Sequence, residues 1–147
     1  MKNKQKGFTL IESLLVLSIF MIISSVTAFS LKPQHFVIED NVFLTQLQAD
    51  LLYAQQYAIS HKCEVFVLFA EDQYEYSIFN DYNLPSLVKR NYSKNIQVYG
   101  GSLPLFFSFL SDGNASKSGS FFIKTSDKSY RITVLIGKGR FYVIEEK

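Results

Sequence analysis

Cysteine occurs once in the 147 residues, at Cys63, so no disulfide can close within the chain and no cysteine-built zinc site can form in one copy. That thiol reads as a half-buried small hydrophobe, with an intermolecular disulfide as its other use. Tryptophan is missing. The two histidines, His35 and His61, belong to no HExxH pattern, and GxSxG, the P-loop and GxGxxG are missing as well. With no grouping of nucleophile, base or phosphate cradle, the sequence is not that of an enzyme, and neither a cofactor nor a metal is expected. Acid pairs such as Glu71 with Asp72 and Glu145 with Glu146 read as turn and terminus charges, not as a general acid and base.

Basic charge is scarce outside one short stretch. The formal net charge is +2, and Lys2, Lys4 and Lys6 ahead of the first apolar run contribute +3 of it, which leaves −1 for all other side chains. A body without basic excess is not a dedicated nucleic-acid binder. Apolar residues, by contrast, make up 48% of the chain and aromatics 16%, enough for one β-rich core and too much for a disordered chain.

Residues 8–29 read FTLIESLLVLSIFMIISSVTAF, twenty-two positions whose one ionisable side chain is Glu12. As a helix this run spans roughly 33 Å, enough to cross a bilayer. The three lysines before it keep 1–7 in the cytoplasm by the positive-inside rule and send the rest of the chain out. A signal peptide cut near Val26-Thr27-Ala28 and a plain membrane anchor are the competing readings. Glu12 separates them from a third. A carboxylate costs about 2.5–3.5 kcal/mol at a bilayer centre, while each Leu, Ile, Val or Phe returns about 0.3–0.6 kcal/mol, so insertion survives the acid without explaining it. Cleavage between Gly7 and Phe8 would set a new α-amino group four residues before Glu12, on the same helix face. An amine and a carboxylate sharing an apolar layer can pair within one chain, or between staggered chains, where the cost of an unpaired buried charge fixes register.

KGFTLIE followed by an apolar run resembles the class III leader of type IV pilins and pseudopilins. The resemblance implies cleavage after Gly7 by a prepilin peptidase, N-methylation of Phe8, and assembly with other pseudopilins into a helical fibre through Glu12. It divides the chain into a leader at 1–7, a transmembrane and assembly helix at 8–29, and a head at 30–147, with the peptidase, the membrane and other pilin subunits as partners.

Past Leu31-Lys32-Pro33, where the proline predicts a bend, Leu44, Leu47, Leu51, Ala54 and Ala58 recur at spacings of 3 and 4. Gln46, Gln48, Asp50, Gln55 and Gln56 fall between them, which predicts an amphipathic helix to about residue 60 whose apolar stripe packs on the head's own sheet. From 64 the period changes to two. VFVLF is apolar on both faces and reads as a central strand, and Glu71-Asp72 turns it into the alternating Tyr74, Tyr76 and Ile78. Further strands are expected at 87–90, 96–99, 105–110, 121–125, 130–136 and 141–145, with Gly100-Gly101 and Gly137-Lys138-Gly139 as turns. The fold class is therefore α+β: a long N-terminal helix packed on an antiparallel sheet or small sandwich.

LQADLLYAQQYAI, VFVLF, FSFLSDG and GKGRFYV resemble the minor pseudopilins of the GspH-like group, and the lysine leader with FTLIESLLVL is most similar to the competence pseudopilins of Gram-positive bacteria. That resemblance implies a subunit of a competence fibre on the cell surface that helps take up external DNA. A type II secretion pseudopilin is the alternative. The body also interleaves cations with aromatics, Lys89 and Arg90 with Tyr92 and Lys94, and Lys138 and Arg140 with Tyr142, as a weak DNA contact would. The loop from Asp112 to Ser118 spaces oxygen side chains as a calcium loop does, but with one carboxylate and a lysine it reads as a solvated hairpin loop.

Overall fold

The computed structural model describes residues 9–30, 32–137 and 140–146, with the backbone alone described for 27–30 and 32–39. Gly7, Phe8 and Lys138 lie outside the described residues. The chain divides into two units, Met1–Phe36 and Val37–Lys147.

Thr9, whose carbonyl accepts the first helical bond from the Ser13 amide at 3.2 Å, opens α1, Leu10–Ser30. A run rich in leucine and isoleucine, without Gly or Pro, sustains it. Helix α2 is Lys32–His61. Pro33, expected to bend a helix, stands in the first turn of α2, where its missing N–H removes no intrahelical bond. At the other end Lys62 adopts the left-handed conformation (φ 53°), and the Cys63 amide reaches back to the Ala58 carbonyl at 3.3 Å. This is a Schellman closure with lysine where glycine is usual.

Among the described residues the second unit builds eight strands after α2: β1 Val65–Ala70, β2 Glu75–Phe79, β3 Val88–Asn91, β4 Gln97–Gly100, β5 Phe106–Phe109, β6 Gly119–Lys124, β7 Ser129–Val134 and β8 Phe141–Glu146. They form two antiparallel four-stranded sheets, ordered β3-β2-β1-β5 and β4-β6-β7-β8. The chain thus crosses to the second sheet at β4, returns for β5 and crosses again at β6. The expected central strand, β1, lies between β2 and β5. A short 3-10 turn over Glu71–Gln73, closed by Tyr74 at φ 51°, makes the β1–β2 hairpin.

One apolar core joins the three parts. Leu44, Leu47, Leu51, Ala54 and Ala58 are all buried, as the helical stripe requires, together with Val65, Val67, Phe69, Tyr76 and Ile78 of the first sheet and Phe121, Ile123, Ile132 and Val134 of the second. Ring contacts join the layers: Phe69 to Phe121 at 5.3 Å between centroids links the sheets, and Phe43 to Tyr76 and Tyr92 at 6.2 and 5.2 Å links α2 to the first sheet. The small sandwich, with α2 laid on it, is the form the α+β expectation takes.

Candidate functional site

Helix α1 wears its apolar residues on the outside. From Ile19 at 48% to Leu10 at 82%, every large apolar side chain described on it is exposed, on all faces of the helix. An all-round apolar helix belongs in lipid or among other helices, because each such side chain left in water forgoes about 1.5–3 kcal/mol. Its hydroxyls suit such surroundings: Ser18 Oγ donates to the Leu15 carbonyl at 2.8 Å and Ser13 Oγ to the Thr9 carbonyl at 3.4 Å, so both are satisfied inside the helix. Glu12 is the exception. It stands exposed in the first turn, where the helix N-terminus favours a negative charge. Among the described residues, no helix is long and apolar enough to cross a membrane. The span read from the sequence also takes in Phe8 and the side chains of 27–29, which lie outside the described residues.

In the head, the stripe of α2 carries two polar residues that the periodicity assigned to the wet faces. Asp50 and Gln55 are buried. Asp50 accepts hydrogen bonds from the Tyr76 hydroxyl at 2.7 Å, from Gln46 Nε2 at 2.9 Å and from Arg90 Nε at 2.6 Å. Burial alone would raise the Asp50 carboxyl, but these donors and the charge of Arg90 outweigh it and hold the group below the usual carboxylate range. Burial and the bond to Asp50 push the Tyr76 phenol up. The network ties α2 to β2 and β3. A second tie runs from Gln55 Nε2 to the Gly113 carbonyl at 2.8 Å. Gly113 sits at φ 81°, and a Cβ there would lie 2.6 Å from Ile59 Cδ1, so the loop after β5 touches the helix through a residue whose backbone favours glycine. Spacing could have shown both polar residues: Asp50 is three past Leu47 and four before Ala54, and Gln55 is four past Leu51.

The same loop occupies its own exposed carboxylate. Asp112 accepts from the Asn114 amide at 2.9 Å and from Asn114 Nδ2 at 2.6 Å, which lowers its pKa. Among the described residues no cluster could hold a metal ion. Cys63 is a free, half-buried thiol packed against the core.

The cations read as a DNA contact are not brought together. Strand alternation turns Lys89 and Arg90 to opposite faces of β3. Lys89 pairs with Glu75 at 3.0 Å, and Arg90 pairs with Asp50. Tyr92, the aromatic between them and Lys94, is buried. Lys94 lies in the loop before β4 and Arg140 precedes β8, strands at opposite edges of the second sheet, and Tyr142, two residues further on, is exposed.

An apolar helix with one acid in its first turn and an α2 laid on two antiparallel sheets are the parts of a type IV pilin-like minor subunit. Solved structures of the same fold include the minor pseudopilin EpsH from the type 2 secretion system of Vibrio cholerae (TM-score 0.57, 15% identity, 73% of this chain and 97% of that one) and the type IV minor pilin FimU of Pseudomonas aeruginosa (TM-score 0.57, 18% identity, 68% and 84%). The prokaryotic N-terminal methylation motif matches residues 2–28. The chain belongs to the ComGD family: it is 30% identical over 141 residues to the competence protein ComGD of Bacillus subtilis (strain 168), covering 96% of this chain and 94% of that relative.

Proposed function

We propose that this chain is trimmed after Gly7, methylated on the amine of Phe8, and built through its N-terminal helix into a pilus-like competence fibre that helps bring external DNA through the envelope. The observation that carries this reading is α1 itself, apolar on every side and exposed, with Glu12 as its one acid. Before assembly the segment 8–29 holds the subunit in the membrane, N-terminus inside and head outside. In the fibre the same surface packs on neighbouring helices. Glu12 then meets the Phe8 amine of an adjacent subunit, and the pair sets the axial register because neither charge is tolerated alone in an apolar layer. The prepilin peptidase and the other pilin-like subunits are its partners.

The head contributes shape and contact, not chemistry. Direct binding of DNA at Lys89 and Arg90 is not favoured, since both cations are engaged and face opposite ways. Lys94 and Arg140 are left for a weak, salt-sensitive contact at most.

Replacing Glu12 by Ala tests the reading. A role confined to the helix N-terminus would cost about 0.3–1 kcal/mol and leave assembly intact. The fibre role predicts that Glu12→Ala is processed and folded but is missing from sheared fibres, whereas normal incorporation of the variant would refute it.

A further inference from the structure

β1 sends Val65, Val67 and Phe69 into the core and so turns Phe66 and Leu68 outward. An antiparallel sheet packed on one face commonly carries polar residues on the other. Here the outer face is aromatic across three strands and the following loop. Phe66 stacks on Phe79 of β2 at 5.6 Å between centroids and on Phe106 of β5 at 5.9 Å. Tyr82 closes over Phe66 and Phe79 at 5.6 and 4.8 Å. Phe106, Leu68 and Tyr82 remain 41%, 36% and 70% exposed. With about 150–250 Å² carried by each aromatic side chain, this leaves roughly 300 Å² of apolar surface facing solvent, a size that on a monomer often marks a functional patch.

The border of the patch says what can cover it. Glu75 shares the face by register, Glu64 leads into β1 and is held by a hydrogen bond from Ser108, and Asp81 precedes Tyr82. Lys89 lies on the same face and is already bound to Glu75. Three carboxylates against one ammonium repel nucleic acid and acidic lipid, and a second copy docked about a two-fold axis would set acids against acids. The area is also far below the roughly 800 Å² per partner of a freely formed specific complex. Such a contact becomes useful only where a tether supplies a high effective concentration, as α1 would in a fibre.

We infer that the outer face of the β3-β2-β1-β5 sheet docks the head on a different, neighbouring fibre subunit that presents an apolar surface with a neutral or basic border. This rests on the fibre function proposed above and adds the face and the chemistry of its partner.

Benzoylphenylalanine in place of Phe106, in the full-length chain and in cells making every fibre subunit, reads the contact directly. The expected photoproduct is an adduct, identified by mass spectrometry, with another subunit carrying the N-terminal methylation motif. An adduct with a second copy, with lipid or with DNA, or no adduct at all, overturns the inference. Independently, a chain with Tyr82→Ser and Phe106→Ser should keep its processed N-terminus and its thermal melt while its amount in sheared fibres falls about tenfold. Undiminished incorporation of that variant overturns the inference, whereas a parent chain missing from sheared fibres is failure of the fibre reading, a separate result. Should the double variant lose its fold, the photo-crosslink, which keeps an aromatic at 106, decides alone.

Discussion

Helix α1 and the head are built from similar apolar material put to opposite uses. In α1 the described leucines and isoleucines and Phe20 point outward, and a single acid stands among them. In the head a large share of them point into one core, and two buried polar groups of α2, Asp50 and Gln55, find partners on β2, β3 and the loop after β5. The head therefore holds itself together, while α1 carries its described apolar side chains exposed. Substitutions in the two regions should fail in different experiments.

The largest contrast is between equivalent truncations. Leu51→Ala removes a side chain that is 1% exposed and should cost about 2–5 kcal/mol in urea unfolding of the full chain in mild detergent, followed by near-ultraviolet circular dichroism. Leu17→Ala on α1 should leave that midpoint unmoved; a shift comparable to that of Leu51→Ala would erase the distinction. Gly113→Ala comes next, at about 2 kcal/mol, because a left-handed backbone and a clash with Ile59 act together and the bond from Gln55 is disturbed.

The buried acid tests the comparison through pH. Asp50 has its pKa lowered by folding, so its contribution is fully present above the unfolded value of about 3.9 and is lost as pH falls through the lower folded value. Asp50→Asn should cost about 1–2 kcal/mol at neutral pH, less than a fully buried pair because Arg90 is 45% exposed, and should flatten the loss of stability below pH about 4. An unchanged acid limb would mean that other carboxylates control it. The smallest effect has the opposite sign: Lys62→Gly relieves a left-handed lysine and should raise the unfolding free energy, read from the same urea titration, by about 0.5–1 kcal/mol.

The two regions also differ in how much of them the sequence displays. For α1 almost everything is local: three lysines, a long apolar run and one acid four residues past Phe8 can be read without knowing any tertiary contact. In the head, elements are legible and their arrangement is not. The helical stripe from Leu44 to Ala58 and the eight strands follow from period, and β1 could be placed centrally because both of its faces are apolar. That β4 leaves for the second sheet while β5 returns beside β1 depends on long-range pairing, which no local pattern encodes. Asp50 and Gln55 fell on the wet side of α2 although their spacing from Leu47, Leu51 and Ala54 sets them beside the stripe, and their burial is made tolerable by partners that include Gln46, the Tyr76 hydroxyl, Arg90 and the Gly113 carbonyl. Lys89 and Arg90 looked like a basic pair until strand alternation separated them. Conversely, the doubly apolar VFVLF explained a central strand so well that its outward half, Phe66 and Leu68, drew no further use.

The proposed function requires that α1 become the N-terminal helix of a fibre subunit. The most direct test is the intact mass and N-terminal sequence of the chain recovered from its native membrane, with and without the prepilin peptidase. A chain that begins at Phe8, carries one methyl group and depends on the peptidase is the expected result. A chain that begins at Phe29, or one unchanged by loss of the peptidase, would contradict it.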